Sequence, residues 1–308
     1  MKISTSFLFD RATERMSNIQ NKLATTQAQL AVSKQILNPS DAPDQAASIQ
    51  RLKGQIERQD SHARTLNVAM RRYSAEETAL KTSVDFLNRL KELGIKAAND
   101  TLSQDDRKAV AVEMRSLRDQ LLGIGNAQDD SGNYIFSGTR VNTPAFVEDA
   151  NGSVVYQGDQ TQTSIPTGAE RTVKYARSGT DIFSRVIRTD ELGNKESVGF
   201  FQALDQLVDA VETSDTLHIQ KGIGDVAQMF NSVTYAMAQT GSDQVVVQSQ
   251  VDLLDETTLR LKSTLSDIED LDYAEAVTRM NKEMMALEAA MSSFGKISSL
   301  SLFDYVKG

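Results

Sequence analysis

Two histidines, two pairs of adjacent aspartates, a tetrapeptide with three acids and one glycine-rich hexapeptide are the groups in this 308-residue chain that could do chemistry. His62 and His218 could act as general acids or bases, but such work needs a partner within hydrogen-bonding reach. His62 is flanked by Ser61 and Ala63, and His218 sits beside Leu217 near the start of a helical pattern, so their neighbours propose none. Two histidines also exclude a three-histidine metal site. Gly222-Ile223-Gly224-Asp225-Val226-Ala227 fits the loose GxGxxA dinucleotide pattern. That chemistry needs a preceding strand that brings backbone amides to a pyrophosphate. Its flanks here read as helix or turn, so a helix-start turn is expected. Asp105-Asp106 and Asp129-Asp130 resemble helix-start and turn residues, and the glycine and terminal glutamate of a calcium loop are missing. Glu269-Asp270-Leu271-Asp272 reads as a solvated face. The absence of cysteine removes disulfides, thiolate metal sites and cysteine nucleophiles. No phosphate loop, Gly-x-Ser-x-Gly or HExxH pattern occurs. The expectation is a protein that is not an enzyme, with no catalytic residue, metal or cofactor.

Composition narrows the class further. A net charge of −9 argues against nucleic-acid binding, which works through clustered Lys and Arg. No apolar run approaches the ~18–20 residues that span a bilayer. The first ten residues carry only Phe7-Leu8-Phe9 as an apolar cluster, too short for a signal-peptide core. Secretion, if it occurs, is expected by another route. Tryptophan is absent and aromatics make up 6%, which suits an extended, thinly cored molecule. The four prolines stand at 39, 43, 144 and 166, leaving tracts of 100 and 142 residues in which long helices are unopposed.

Those tracts carry heptad seams. Phe9, Ala12, Met16, Ile19, Leu23, Thr26, Leu30, Ser33 and Leu37 recur at alternating three- and four-residue spacing, and seven of the nine are apolar. The pattern stops at Asn38-Pro39-Ser40-Asp41-Ala42-Pro43, where two prolines push their predecessors towards extended backbone. It resumes from Ile49 to Leu87, which predicts a helix over Asp44–Ala98, ~80 Å long at ~1.5 Å per residue. A further helix carries Val110, Met114, Leu117, Leu121 and Ile124 on one face.

Between Asp129 and about Gly199 the chain becomes glycine-rich, with β-prone runs at 133–136, 145–147, 154–156 and 172–175. Asn151-Gly152 predicts a type I′ hairpin turn. Helices return over Phe200–Val211, about Leu217–Gln239, and Asp243 to about Ile268. After a slip within residues 269–272, a register with no polar member runs through Val277, Met280, Met284, Leu287, Met291 and Phe294. The two breaks are symmetric: 37 residues precede Asn38 and 38 follow Asp270, so the terminal segments can lie antiparallel.

The pattern predicts a mainly α fold: an elongated helical rod with paired N- and C-terminal coiled-coil arms and a small inserted β-rich domain. The boundaries are an N-terminal arm and hinge at 1–43, an outgoing rod at 44–140, an insert at 141–196, a returning rod at 197–270 and a C-terminal arm at 271–308. An isolated arm exposes an entire apolar face, which favours burial between subunits. The expected assembly interface is Met16, Ile19, Leu23, Leu30, Leu37, Val277, Met280, Met284, Leu287, Met291 and Phe294. The expected hinge is Asn38, Pro39, Ser40, Asp41, Pro43 and Asp270.

At these positions the chain resembles a known family. Met1-Lys2-Ile3-Ser4-Thr5-Ser6 with Asn38-Pro39-Ser40-Asp41-Ala42-Pro43 resembles the N-terminal region of bacterial flagellins. Ser266 to Ala274 looks like their C-terminal signature, and Ser33 stands where a glycine is common. Gly132-Asn133-Tyr134-Ile135-Phe136-Ser137-Gly138-Thr139 and Val155-Tyr156-Gln157-Gly158-Asp159 resemble the family's hook–filament junction members. The resemblance implies a structural subunit of the bacterial flagellum, exported through the flagellar type III apparatus without a cleaved signal peptide. It also implies partners: hook-associated protein 1, flagellin, copies of itself, and an export chaperone on the C-terminal arm. The alternatives are a filament-forming flagellin and a helical stalk carrying a glycan-binding β module.

Overall fold

The structure, a computed structural model, describes residues 2–99, 101–161, 164–166, 172–174, 177–189 and 195–306. In chain order the elements are α1 (Lys2–Val32), α2 (Pro43–Ala97), α3 (Gln104–Gly125), β1 (Phe146–Glu148), β2 (Val154–Tyr156), β3 (Ser164–Pro166), β4 (Thr172–Lys174), α4 (Gly179–Ile182), β5 (Val186–Thr189), β6 (Lys195–Val198), α5 (Phe200–Thr213), α6 (Thr216–Glu269) and α7 (Tyr273–Val306). They form two compact units, residues 1–59 with 256–308, and residues 60–255.

Helices α2 and α3 each begin on a local signal. Pro43 occupies the first helical position of α2, where its missing N–H costs nothing, and Asp44 follows in the first turn. The Ser103 hydroxyl caps α3 by accepting from Asp106 N at 3.2 Å, and Asp105 and Asp106 are helix-start residues as expected. Val110, Met114, Leu117 and Leu121 are buried on the expected face of α3.

Two helix boundaries differ from expectation. α1 stops at Val32 rather than reaching Leu37, because Ser33 adopts φ 57° and Lys34 N–H turns back to Gln29 O at 3.2 Å. This is a left-handed helix end of the kind glycine usually supplies. α6 is continuous where a break around residues 240–242 was expected. The Thr240 hydroxyl lies 3.0 Å from Ala236 O and 2.8 Å from Glu76 Oε1, so it is satisfied inside the helix. With no proline there, Gly241 lowers helix propensity by ~1 kcal/mol without ending the helix.

The insert also departs from its predicted strands. Residues 133–136 form no strand; Tyr134 makes only an isolated bridge with Gln128, and Ser137 one with Ser178. Ile135 and Phe136 are buried, and Phe136 O accepts from Gly179 N at 2.8 Å. β1 starts one residue later than predicted, β2 matches, and β4 lies within the predicted 172–175 run, whose Tyr175 is outside the described residues. β3, β5 and β6 carried no legible alternation. The described strands make three separate antiparallel pairs, with Phe146 opposite Tyr156, Ser164 opposite Lys174 and Val186 opposite Val198. The 149–153 turn is not type I′. Gly152 alone takes positive φ there, and the Asp149 carboxylate accepts from Asn151 N and Ser153 N.

These strands share the helices' core. Phe146, Phe183, Phe200 and Phe201 meet beside α3 and α5, with the Phe146–Phe201 and Phe183–Phe200 centroids both 5.3 Å apart and edge to face. On α2 and α6, Val173 of β4 packs with Leu66, Tyr73 and Val247. Buried charge is paired: Glu76 meets Arg177 Nε at 3.1 Å, and Arg72 donates to Ile135 O at 2.9 Å.

The glycines of the Gly222–Ala227 hexapeptide lie inside α6, not at a helix-start turn. A Cβ on Gly222 would fall 2.6 Å from Leu207 Cδ1 and 2.9 Å from its Cβ, so this glycine lets α5 and α6 touch; at Gly224 nothing lies within 4 Å. The two therefore respond oppositely to alanine. Gly222→Ala is expected to destabilise by ~1–2 kcal/mol after its gain in helix propensity, and Gly224→Ala to stabilise by up to ~1 kcal/mol. Denaturant midpoints check this; equal shifts of one sign would refute the packing role.

Candidate assembly interface

The chain ends pair. α1 and α7 run antiparallel: the Phe9 and Phe294 rings lie 4.7 Å apart, and Arg279 Nη2 donates to Gln29 Oε1 at 3.4 Å. On α1 the inward side is the predicted seam. Ala12, Met16, Ile19, Leu23 and Leu30 are half-buried and Thr26 is buried, while Leu37 lies beyond the helix end and is half-buried. On α7 the inward side is shifted from the predicted register. Ala276 and Ala290 join Val277, Met280, Leu287 and Phe294, whereas Met284 and Met291 are 43% and 56% exposed. Met285 is 61% exposed and Phe7 62%. The reason is geometric. One helix covers one stripe, and the α7 apolar surface is wider than that stripe. Ala276 and Ala290 were overlooked because small residues add little to an apolar count, although they permit close approach.

The two helix breaks meet. Lys34 and Asp270 form an antiparallel bridge, Gln35 N donates to Glu269 O at 2.9 Å, and Leu271 N donates to Ser33 O at 3.2 Å. Between them the Glu269 carboxylate accepts from Lys34 Nζ at 2.5 Å and Lys53 Nζ at 2.8 Å. Hydrogen bonds from these lysines hold the Glu269 carboxyl below its ordinary range, and the Glu269 bond raises Lys34. The acidic segment 269–272 is thus only partly a solvated face. Asp270 and Asp272 are exposed, and Asp272 Oδ1 caps α7 by accepting from Glu275 N at 3.0 Å. Spacing alone carried no signal for the Lys53 contact, which joins residues 216 positions apart.

Among the predicted hinge residues, Asn38 N donates to Asp41 Oδ2 at 2.9 Å and Asp41 N to Asn38 O at 3.0 Å, which closes a tight turn ahead of Pro43. Pro39 and Ser40 are exposed at its tip.

The candidate catalytic groups have structural surroundings. His218 Nδ1 lies 2.6 Å from Asp215 Oδ2, and Asp215 Oδ1 accepts from His218 N at 3.1 Å. Asp215 therefore caps α6, and its pKa is lowered by those bonds from His218. The pair borders an open cleft of about 370 Å³ with Arg188, Gln206 and Lys221. His62 lies half-buried along α2. Asp129 accepts from Ser131 N and Asn133 N within a turn, as expected. Among the described residues of the insert, the Phe146 and Phe183 rings are buried in the core and Tyr156 packs against it.

The two motifs near the insert form one structural clasp. Asp159 Oδ1 accepts from Thr139 N and Thr161 N, both at 3.0 Å, and Tyr156 Oη lies 3.0 Å from Phe136 O and 2.9 Å from Asp159 O.

Paired helical chain ends that flank a strand-bearing middle in the sequence define a mainly helical class of protein, and family matches agree. The bacterial flagellin N-terminal helical region matches residues 3–141, and the bacterial flagellin C-terminal helical region matches residues 223–306. The chain belongs to the bacterial flagellin family. Its full-length relatives include two proteins named flagellar hook-associated protein 3. One, from Escherichia coli (strain K12), is 27% identical over 100% of both chains. The other, from Salmonella typhimurium, is 25% identical over 99% of both. A putative flagellar hook-associated protein structure from Vibrio parahaemolyticus shares the fold, with a TM-score of 0.64 at 20% identity over 75% of this chain and 100% of that one.

Glu269 supplies a pH prediction. Its folded pKa is depressed, so its contribution is fully present above the ordinary glutamate value of ~4.3 and is lost as pH falls through the lowered folded value. Glu269→Gln is expected to weaken the clamp by ~1–2 kcal/mol, discounted for the solvent reaching both lysines. Hydrogen exchange at the Gln35 and Leu271 amides checks it. Unchanged protection in the variant, or protection that improves on acidification, would contradict the clamp.

Proposed function

We propose that this chain is a structural subunit of the junction between flagellar hook and filament, assembling through its paired terminal helices and acting by packing rather than catalysis. The observation that carries this is the α1–α7 pair, which joins the chain ends yet leaves Met284, Met291 and Phe7 open to solvent. Two helices alone cannot bury two apolar faces, so further helices must complete the burial. Copies of this chain supply neighbours within a layer, and hook-associated protein 1 and flagellin supply those below and above. Before assembly the exposed methionines suit a chaperone, since Met adapts its shape to several partners. Export through the type III apparatus places the protein outside the cell.

The interface residues are Met16, Ile19, Leu23, Leu30, Leu37, Val277, Met280, Met284, Leu287, Met291 and Phe294. The turn at Asn38–Pro43 and the break at Asp270 orient the arm. A charge at Leu23 would be buried unpaired once neighbours close around the arm. Leu23→Asp is therefore expected to abolish swimming and filament growth in cells whose only copy carries it, with helical content of the purified protein within ~10% of wild type. Normal filaments in that strain would sink the arm reading. Incubating the purified protein alone separates the junction role from that of a filament flagellin: short or no assemblies fit a junction layer, and long filaments would favour the other role.

A further inference from the structure

All the sulfur in this chain is in ten methionines, because there is no cysteine. Among the nine in described positions, Met114 and Met229 are sealed in the core, and Met16, Met70, Met237 and Met280 are half-buried. Only Met284, Met285 and Met291 are exposed, at 43%, 61% and 56%. All three fall within eight residues of α7. Met284 and Met291 are two turns apart, so they share one face about 10 Å apart, and Met285 sits on the adjoining ridge.

We propose that Met284, Met285 and Met291 form an oxidation site for peroxide on the unassembled protein. The thioether sulfur attacks one peroxide oxygen and the O–O bond breaks. The sulfur is oxidised by two electrons to the sulfoxide as the peroxide is reduced by two. The departing hydroxide takes the proton carried by the oxygen now bonded to sulfur and becomes water, and both C–S bonds remain. Access governs the rate at each methionine, and the product is a polar, chiral group on what was an apolar face. A sulfoxide there meets the desolvation cost that an apolar neighbour imposes on any unpaired polar group. Oxidised chains are therefore barred from assembly, while assembled chains, whose patch is covered, are protected. The barred-assembly part rests on the function proposed above; the site itself rests only on exposure.

Peptide mapping of the full-length protein during hydrogen peroxide treatment tests the site. Met284, Met285 and Met291 are expected to oxidise at least tenfold faster than Met114 and Met229, and ahead of the four half-buried methionines. Equal rates across all nine would overturn it, whatever the outcome for Leu23→Asp. For the consequence, co-sedimentation with hook particles isolated from cells lacking only this protein is measured before and after peroxide. Wild type is expected to lose at least tenfold of its own starting value, and M284L/M285L/M291L less than twofold of its own. Equal fractional losses in the two, or none in wild type, would overturn the assembly effect.

Discussion

The Glu269 carboxylate, held between Lys34 and Lys53 where the chain breaks twice, is the contact on which the terminal architecture depends. The breaks at 33–42 and 270–272 lie side by side because Gln35 and Leu271 exchange backbone hydrogen bonds with Glu269 and Ser33. Two chain ends of nearly equal length that leave adjacent points in opposite chain directions pair over their length. The aromatic contact of Phe9 with Phe294, near the far end from those breaks, is the consequence. A salt bridge on an open surface is worth little, but a carboxylate that is itself mostly buried and bonded by two ammonium groups fixes geometry more than it adds stability.

Pairing the ends does not satisfy them. The α7 helix is apolar around more of its circumference than α1 can cover, and Met284, Met285 and Met291 remain in solvent. An apolar surface of that kind on a helical pair calls for more helices, which is the physical content of family membership here. In the middle of the chain the phenylalanines interlock with α3 and α5, charged side chains such as Glu76 and Arg118 are paired, and His218 is tied to a helix cap. Asp215 with His218, and Asp129, are used in helix caps and turns rather than in a reactive constellation.

Much of this was legible in the sequence, for reasons that differ by region. Heptad seams and two prolines located α1, α2 and the first break, because periodicity and proline act locally. The slip at 269–272 located the second. What spacing could not show was long-range. The Lys53–Glu269 bond links residues far apart in the chain, and the α7 face depends on where α1 lies, so the register through Met284 and Met291 was shifted from the inward one. Helix α1 ended early because Ser33 takes a left-handed conformation, beside the isolated bridge between Lys34 and Asp270. In the insert, β3 (Ser164-Ile165-Pro166) and β6 (Lys195-Glu196-Ser197-Val198) lack an apolar run like that of β2, and residues 133–136 had the composition of a strand but are held by Gly179 and core burial instead.

The central claim is that the α7 face left open in the single chain is closed by neighbouring subunits. A cryo-electron microscopy map of the isolated hook–filament junction, at a resolution that shows side chains, tests it most directly. The account predicts α1 and α7 of each copy paired antiparallel, with Met284 and Met291 buried against helices of adjacent subunits. A map in which those two side chains face solvent, or in which α1 and α7 of one copy are apart, would contradict it.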